Sequence, residues 1–288
     1  MDLRQIPIRV IGPGSQSDGE DGQTLSYIDM PSDMSMYQPP TMPEPDAVAD
    51  LSGAREAMRW LQVALEKSAD DCAPQLADLT ALDDENRDLV NQMLGEGEVS
   101  INYAGEIRAR TQEAVIAGVW RTAYFDAEDR TMIDLLEVAD APHVLRMSGT
   151  TQHEINTQPD NVPDEVMNAL PILVELQSHC SAYETSRTPH AINLTLLPLS
   201  DADLIFLDEQ LGRGPVDTLS RAYGKCQVIS TLVPNVWWVR FYNSMGILIL
   251  NTLEVVDVPA VVRAAPEDLQ DSAQRLEELL TFCWSDAT

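Results

Sequence analysis

The sequence predicts an α+β fold: two tandem copies of a helix–strands–helix unit related by a pseudo-twofold, preceded by an extended N-terminal arm and one helix. Three observations lead there. Residues 79–146 and 196–263 align without a gap at an offset of 117, with 16 identities over 68 positions. The identities fall in blocks: Leu94 through Val99 on Leu211 through Val216, Val119-Trp120 on Val236-Trp237, and Leu136 through Pro142 on Leu253 through Pro259. The echo then resumes at an offset of 103, Pro163–Cys180 on Pro266–Cys283, so the first copy carries about 14 extra residues near 147–160, read as a loop. A period this long marks a duplicated domain and not a solenoid. Duplication also sorts residues by role. One present in both copies is explained by the fold, and one present in a single copy is a better candidate for function.

Four segments follow: an extended arm over 1–50, a helix and linker over 51–74, a first repeat over 75–181 and a second over 182–288. The arm has little periodicity. Its proline-rich stretches, such as Met42-Pro43-Glu44-Pro45, and the acidic run 18–21 suit extended, solvated chain. Ile6 through Ile11 could form an edge strand before the turn Gly12-Pro13-Gly14.

The helix is expected over about 53–67, with Ser52 as N-cap; Ala54, Met58, Leu61 and Leu65 share one face. In each repeat a helix begins after a cap-competent residue, Asp83 or Ser200, and ends at Gly95 or Gly212, where a left-handed C-cap favours glycine. The second glycine of each pair, Gly97 or Gly214, starts the turn into a strand. Further strands are expected over 114–125 and 231–242, and over 131–138 and 248–255, where β-branched and aromatic residues run together. Pro163 and Pro266 suit helix position N1, which needs no N–H. Pro171 lacks a counterpart and should kink or shorten the first closing helix.

Composition narrows the function classes. The chain has 288 residues, 44% of them hydrophobic, enough for one large or two modest domains. No apolar run approaches membrane-spanning length and the N-terminus lacks a signal-peptide core, so membrane insertion is not expected and a cytoplasmic location is. A net charge of −29 repels phosphate backbones, which argues against nucleic acid as partner. The four cysteines show no CxxC spacing, so neither a metal nor another cofactor is read from them.

The second copy resembles the HupH/HoxQ/HyaF family. The likeness rests on Leu211 through Val216, Leu219 through Cys226, Asn235-Val236-Trp237-Trp238-Val239, Asn243-Ser244 and Asn251 through Pro259. The arm segment Ile6 through Gln16 is similar to the family's N-terminus, so the likeness covers nearly the whole chain. The resemblance implies an accessory factor for [NiFe]-hydrogenases, acting in the cytoplasm and not an enzyme. Its expected partner is the hydrogenase small-subunit precursor, held while it acquires iron–sulfur clusters before export, with another hydrogenase accessory protein as a further partner. The alternative is a metal or cluster carrier, for iron–sulfur or nickel, using Cys226 with the histidines. An enzyme of another kind is a third reading, which no catalytic motif favours.

Residues shared by the copies read as structural: Gly95, Gly97, Trp120, Glu137 and Asp140 with Gly212, Gly214, Trp237, Glu254 and Asp257. Arg146 and Arg263 could contact the acidic residues within each unit, and the tryptophans could be buried against a helix. Cys180 and Cys283 lie on apolar helix faces and read as core. Second-copy residues form the candidate partner-binding surface: Arg221, Tyr223, Cys226, Asn235, Trp238, Asn243 and Asn251. Their competing reading is divergent packing inside copy two. His153, His179 and His190 could join Cys180 around a metal, but they lack tight spacing, so no metal site is assigned.

Overall fold

The computed structural model describes residues 50–71, 73–147, 153–221 and 224–284. The arm up to residue 49, Cys72 and Tyr223 lie outside the described residues. In chain order the elements are α1 (Ser52–Asp71), β1 (Gln75–Asp78), α2 (Asp84–Leu94), β2 (Val99–Ala104), β3 (Arg108–Glu113), β4 (Val119–Phe125), β5 (Thr131–Val138) and the short α3 (His143–Arg146). There follow α4 (Ala169–Ser186), β6 (His190–Asn193), a 3-10 turn (Leu194–Leu196), α5 (Asp201–Leu211), β7 (Arg213–Ser220), β8 (Lys225–Thr231), β9 (Val236–Tyr242), β10 (Leu248–Val255), a 3-10 turn (Ala260–Val262) and α6 (Pro266–Cys283).

All ten strands among the described residues join one antiparallel sheet in the order β1-β5-β4-β3-β2-β7-β8-β9-β10-β6. Read outward from the central β2–β7 pair, each half runs through its strands in the same sequence. Residues 131–138 and 248–255 are strands as expected, but 114–118 and 231–235 are largely turn. There Gly118 and Asn235 occupy corresponding positive-φ positions, 74° and 60°. Strands β3 and β8 were not anticipated. The β3 sequence, Arg-Ala-Arg-Thr-Gln-Glu, buries only Ala109 and Thr111, so the hydrophobic signal is two residues long.

Local chemistry repeats between the halves. Asp83 and Ser200 cap α2 and α5, accepting from the N–H groups of Asn86 (2.8 Å) and Asp203 (3.1 Å). Gly95 and Gly212 end those helices at positive φ, but with ψ of −169° and 168°. That extended region, almost exclusive to glycine, replaces the expected left-handed cap. A Cβ on Gly97 or Gly214 would stand 2.3 Å from the Ala114 carbonyl oxygen or 2.4 Å from that of Thr231, so the chain passes too close for any side chain.

Paired residues share a sheet face, and the two faces differ. The inner face carries Trp120, Tyr124, Val216, Cys226, Val228, Trp237 and Val239, closed by Val144, Leu145, Val258 and Val262. Trp120 and Trp237 are therefore buried inside the sheet's own fold, beneath the one-turn α3 and the 3-10 turn, and not against a long helix. Their indole N–H groups donate to the Ala139 and Val256 carbonyls, both at 3.0 Å. Full burial of an aromatic side chain of this size stabilises by about 3 kcal/mol.

Two helical layers cover the ends of the outer face. Over β4–β5 lie α1, α2 and α6; over β9–β10 lie α4 and α5. In α1 the expected stripe Ala54, Met58, Leu61 and Leu65 is fully buried, although the helix starts at Ser52 itself. The expected division at 181/182 falls inside α4, whose core residues Ala169, Leu173 and Leu176 pack with the second half. In packing, α4 corresponds to α1 at an offset of 115: Ala54 with Ala169, Met58 with Leu173, Leu61 with Leu176. The last helix, α6, crosses back to pack on α1, bringing Leu276 and Cys283 into the first core.

Pro266 occupies the start of α6 as expected. Helix α4 instead begins at Ala169, six residues past Pro163, with Pro171 in its first turn, where a missing N–H costs nothing.

Candidate functional site

Opposite the inner core, the outer face of the first half opens into a cleft of about 510 Å³ between α2 and strands β2–β5. Arg87 and Asn91 project from α2; Ser100, Asn102, Arg110, Gln112, Arg121 and Asp134 rise from the sheet. Strand alternation places the sheet residues on one face: Ser100 pairs with Gln112, Asn102 with Arg110 and Gln112 with Arg121, while Asp134 pairs with Ala123, the β4 neighbour of Arg110.

Asp134 organises the charges. Arg121 grips its carboxylate through two bonds, Nε at 2.9 Å and Nη2 at 2.5 Å, and Arg87 Nε lies 3.5 Å away. Arg121 also reaches the Asn91 side chain, and Arg87 donates to the Leu82 carbonyl at 2.6 Å. Arg110 is more open, its guanidinium 5.0 Å from the centre of the Phe125 ring. Arg87 also pairs with Asp84 at 3.0 Å, Arg110 lies 3.9 Å from Asp129, and Glu96 lines the same cleft, so its guanidiniums are matched by carboxylates.

The corresponding positions of the second half carry different side chains. In the 117 frame, Trp238 stands where Arg121 does, Asn251 where Asp134 does and Arg240 where Ala123 does. The Trp238 indole N–H donates to Asn251 Oδ1 at 2.5 Å, and Arg240 lies over the ring at 4.5 Å. An indole–amide bond stands where the first half has an ion pair.

The candidate partner-binding residues from the sequence do not form one exposed face. Cys226 lies in the inner core; Trp238 lies on the opposite sheet face, against the α4–α5 layer. Asn251 is buried beside Trp238. Burial, with Glu254 nearby, pushes the Cys226 thiol up to about 12. Asn235 supplies a positive-φ turn residue. Asn243 builds the β9–β10 turn, its Oδ1 accepting from the N–H groups of Met245 and Ile247, both at 2.9 Å. Asp126 does the same in the first half for Glu128 and Arg130. Of the described members of the set, Arg221 is exposed. Difference between the halves marks divergent packing here.

Shared residues meet as pairs. Arg146 reaches Asp140 at 3.1 Å and Arg263 reaches Asp257 at 3.6 Å, while Arg263 also crosses to Asp140 at 2.5 Å. Glu137 is buried and accepts from the His143 backbone N–H and pairs with its Nδ1 at 2.9 Å; Tyr124 Oη bonds His143 Nε2 at 2.5 Å. Glu254, whose half has Ala260 in place of His143, bonds only weakly to Thr252 at 3.3 Å, and burial raises its pKa.

A feature that the sequence reading passed over lies at the β9–β10 hairpin. Met245, Ile247, Leu248 and Ile249 are 74%, 54%, 43% and 56% exposed. Strand β6 pairs with β10 only through Thr252–Val255, so among the described residues no strand lies along the outer edge of Leu248–Leu250. The corresponding first-half turn is charged: Asp126, Glu128 and Arg130 tie it into salt bridges. The 117 frame contained this signal, an apolar run Met-Gly-Ile-Leu-Ile facing Glu-Asp-Arg-Thr-Met.

Comparison with known proteins places the chain. The profile of the family described as HupH hydrogenase expression protein, C-terminal conserved region, matches residues 53–156 and 166–283. The chain belongs to this family. It is 45% identical over 283 residues to the hydrogenase expression/formation protein HoxQ of Cupriavidus necator, covering 97% of this chain and 98% of HoxQ. It is 34% identical over 275 residues to the hydrogenase-1 operon protein HyaF of Escherichia coli, covering 94% of each. A solved structure, the hydrogenase expression protein HupH from Thiobacillus denitrificans, is 31% identical; the match covers 38% of this chain and 92% of that one, with a TM-score of 0.37. Among the described residues, no helix of this HupH-family protein is long and apolar enough to cross a membrane.

Proposed function

We propose that this HupH-family protein is a cytoplasmic, non-enzymatic maturation factor that holds the [NiFe]-hydrogenase small-subunit precursor while it acquires iron–sulfur clusters. The hydrogenase expression and formation names of its relatives support the hydrogenase connection. The observation that carries the holding role is the β9–β10 hairpin: exposed apolar side chains beside a strand edge that no strand covers among the described residues. An extended client segment adds there as a further strand, its backbone bonding Leu248–Leu250 and its apolar residues covering Ile247 and Ile249. A holder that binds the immature conformer alone shifts its population by mass action, with no reaction required. The chain's negative charge draws a basic client over roughly 8–10 Å at physiological salt.

The two halves also read as copies of one module related by a pseudo-twofold. Mirrored strand order, matched indole–carbonyl bonds and two successive family matches support that reading. In this account the first half's hairpin stays charged and the second half's became the client edge. A second hydrogenase accessory protein has the arginine-floored cleft available to it.

The test is affinity co-purification from hydrogenase-expressing cells with wild-type protein and the Ile247→Asp/Ile249→Asp variant. The wild type should retain the precursor, and the variant should lose at least about tenfold of it at unchanged melting temperature. Undiminished capture by the variant would overturn the edge as the binding site. Absence of any hydrogenase polypeptide from the wild-type complex would overturn the maturation role.

A further inference from the structure

The chain has four histidines, and the fold brings two of them into contact. His179 and His190 stack with ring centroids 3.3 Å apart and planes 7° from parallel. Glu175 lies one helical turn before His179 on the same face of α4, and its Oε1 is 3.2 Å from His190 Nε2. We propose that Glu175, His179 and His190 form a binding site for one divalent first-row transition-metal ion.

The geometry fits the chemistry. Each residue contributes one donor atom, and the three donors lie within 4.8 Å of one another. Around a tetrahedral ion with bonds of about 2.1 Å, donors stand about 3.4 Å apart, so side-chain rotation closes the set without backbone movement. The backbone is held on both sides: α4 is anchored in the second core by Leu173 and Leu176, and His190 is paired with Val255 in the sheet. Two imidazoles and one carboxylate select zinc, cobalt or nickel over magnesium and calcium, which prefer all-oxygen sites. Side-chain exposures of 48% for Glu175 and 32% for His190 leave the fourth position open to water or to a client's ligand. A site with three protein ligands and an open position exchanges its ion more readily than a closed four-ligand one.

The same positions in the first half do not ligate. At the 115 offset that aligns α1 with α4 and β1 with β6, they are Trp60, Ala64 and Gln75. One ion per chain is therefore expected. Cys180, the neighbour that the sequence offered as a ligand, instead packs toward the second core. Burial and the nearby Glu184 push its thiol up to about 11. His153 lies elsewhere, bonded to the Gln210 carbonyl at 3.0 Å. Each imidazole lone pair lies in its ring plane, and two parallel planes 3.3 Å apart cannot both contain one ion, so metal binding must open the stack.

The test uses untagged full-length protein titrated with Zn2+ by calorimetry and with Co2+ by visible absorption. The expected result is one ion per chain, tetrahedral Co2+ bands, and displacement of two of the four histidine ring signals in NMR spectra. His179→Gln and His190→Gln should each weaken Zn2+ binding at least about tenfold while His153→Gln leaves it unchanged. Both histidines are partly exposed, and circular dichroism verifies that the variants keep the fold. Equal Zn2+ affinity in wild type and His190→Gln, or no saturable binding by the wild type, would overturn the site.

Discussion

The two halves of the sheet answer the same structural demands with different chemistry. Where the demand is geometric, they agree: the glycine passing under a carbonyl, the indole bonded to a backbone oxygen and the cap starting α2 or α5 all recur. Where side chains only fill space, they diverge. Arg121–Asp134 becomes Trp238–Asn251, and Gly118 becomes Asn235. The latter exchange has a visible cause. A Cβ at Gly118 would lie 2.1 Å from Leu269 of α6, and among the described residues the layer over β9–β10 holds α4 and α5 with no third helix in the place that α6 takes over the first half. Asparagine tolerates the positive φ there. A difference between the halves is thus evidence of function only after packing has been accounted for.

The strongest test of the shared framework is its two tryptophans. Trp120→Ala and Trp237→Ala should each cost about 3–5 kcal/mol in urea unfolding, and the two losses should agree within about 1 kcal/mol. Both indoles leave a buried carbonyl unpaired and a cavity in the same inner core. A loss below about 1.5 kcal/mol at either site would show that the inner face relaxes there, and the equivalence would break.

Much of this framework was legible in the sequence because it is written in residues with few substitutes. Glycines at forbidden φ or at contact distance, and tryptophans with a fixed hydrogen bond, leave a repeated signal. The β3 and β8 strands were not legible, since the middle of the outer face carries polar residues such as Arg110, Gln112 and Gln227. Helix α4 misled for another reason. Its stripe matches α6 by an amphipathic pattern common to most packed helices, while in packing α4 takes the place over its half that α1 takes over the other. Cys226 and Trp238 are buried, and a difference between the aligned halves does not reveal which sheet face a residue occupies. His179 and His190 are separated in sequence by a helix end and a turn, and only the α4–β6 packing joins them.

A sharper comparison lies at the corresponding pair Asn86 and Asp203. Asn86 Oδ1 accepts the Ala54 N–H at the start of α1 at 2.8 Å. Asp203 Oδ1 accepts three, from Met167, Asn168 and Ala169 at the start of α4, at 2.9, 2.8 and 3.0 Å. Burial opposes ionisation of Asp203, but these bonds and those from Ser200 prevail and hold its pKa down to about 2. A folded pKa below the unfolded value means that this stability is present above about pH 4 and lost as pH falls toward 2. Asp203→Asn should therefore cost roughly 2–3 kcal/mol at pH 7 and flatten the acid limb of the stability curve. The corresponding Asn86→Ala should lower stability without changing that limb. An Asp203→Asn variant with an unaltered acid limb would show that the carboxylate is not ionised in the fold.

A smaller effect separates Glu113 from its counterpart Ser230. Ser230 Oγ accepts the Val216 N–H at 2.9 Å, a neutral group serving one buried donor where β7 passes β8. Glu113 occupies the same place between β3 and β4, where burial outweighs its backbone hydrogen bonds and raises its pKa to about 7, with Glu98 adding to the rise. Because the folded chain holds this proton more tightly than the unfolded one, stability is greatest below pH 4.5 and falls as pH rises toward 7, then levels off. Glu113→Gln keeps the shape and removes the charge. It should leave stability unchanged at pH 4, raise it by roughly 1–2 kcal/mol at pH 8 and abolish the slope between, measured by urea unfolding at each pH. If the wild type shows no such slope, the carboxylate is solvated as well in the fold as out of it, and the first half gains nothing by the serine that the second half uses.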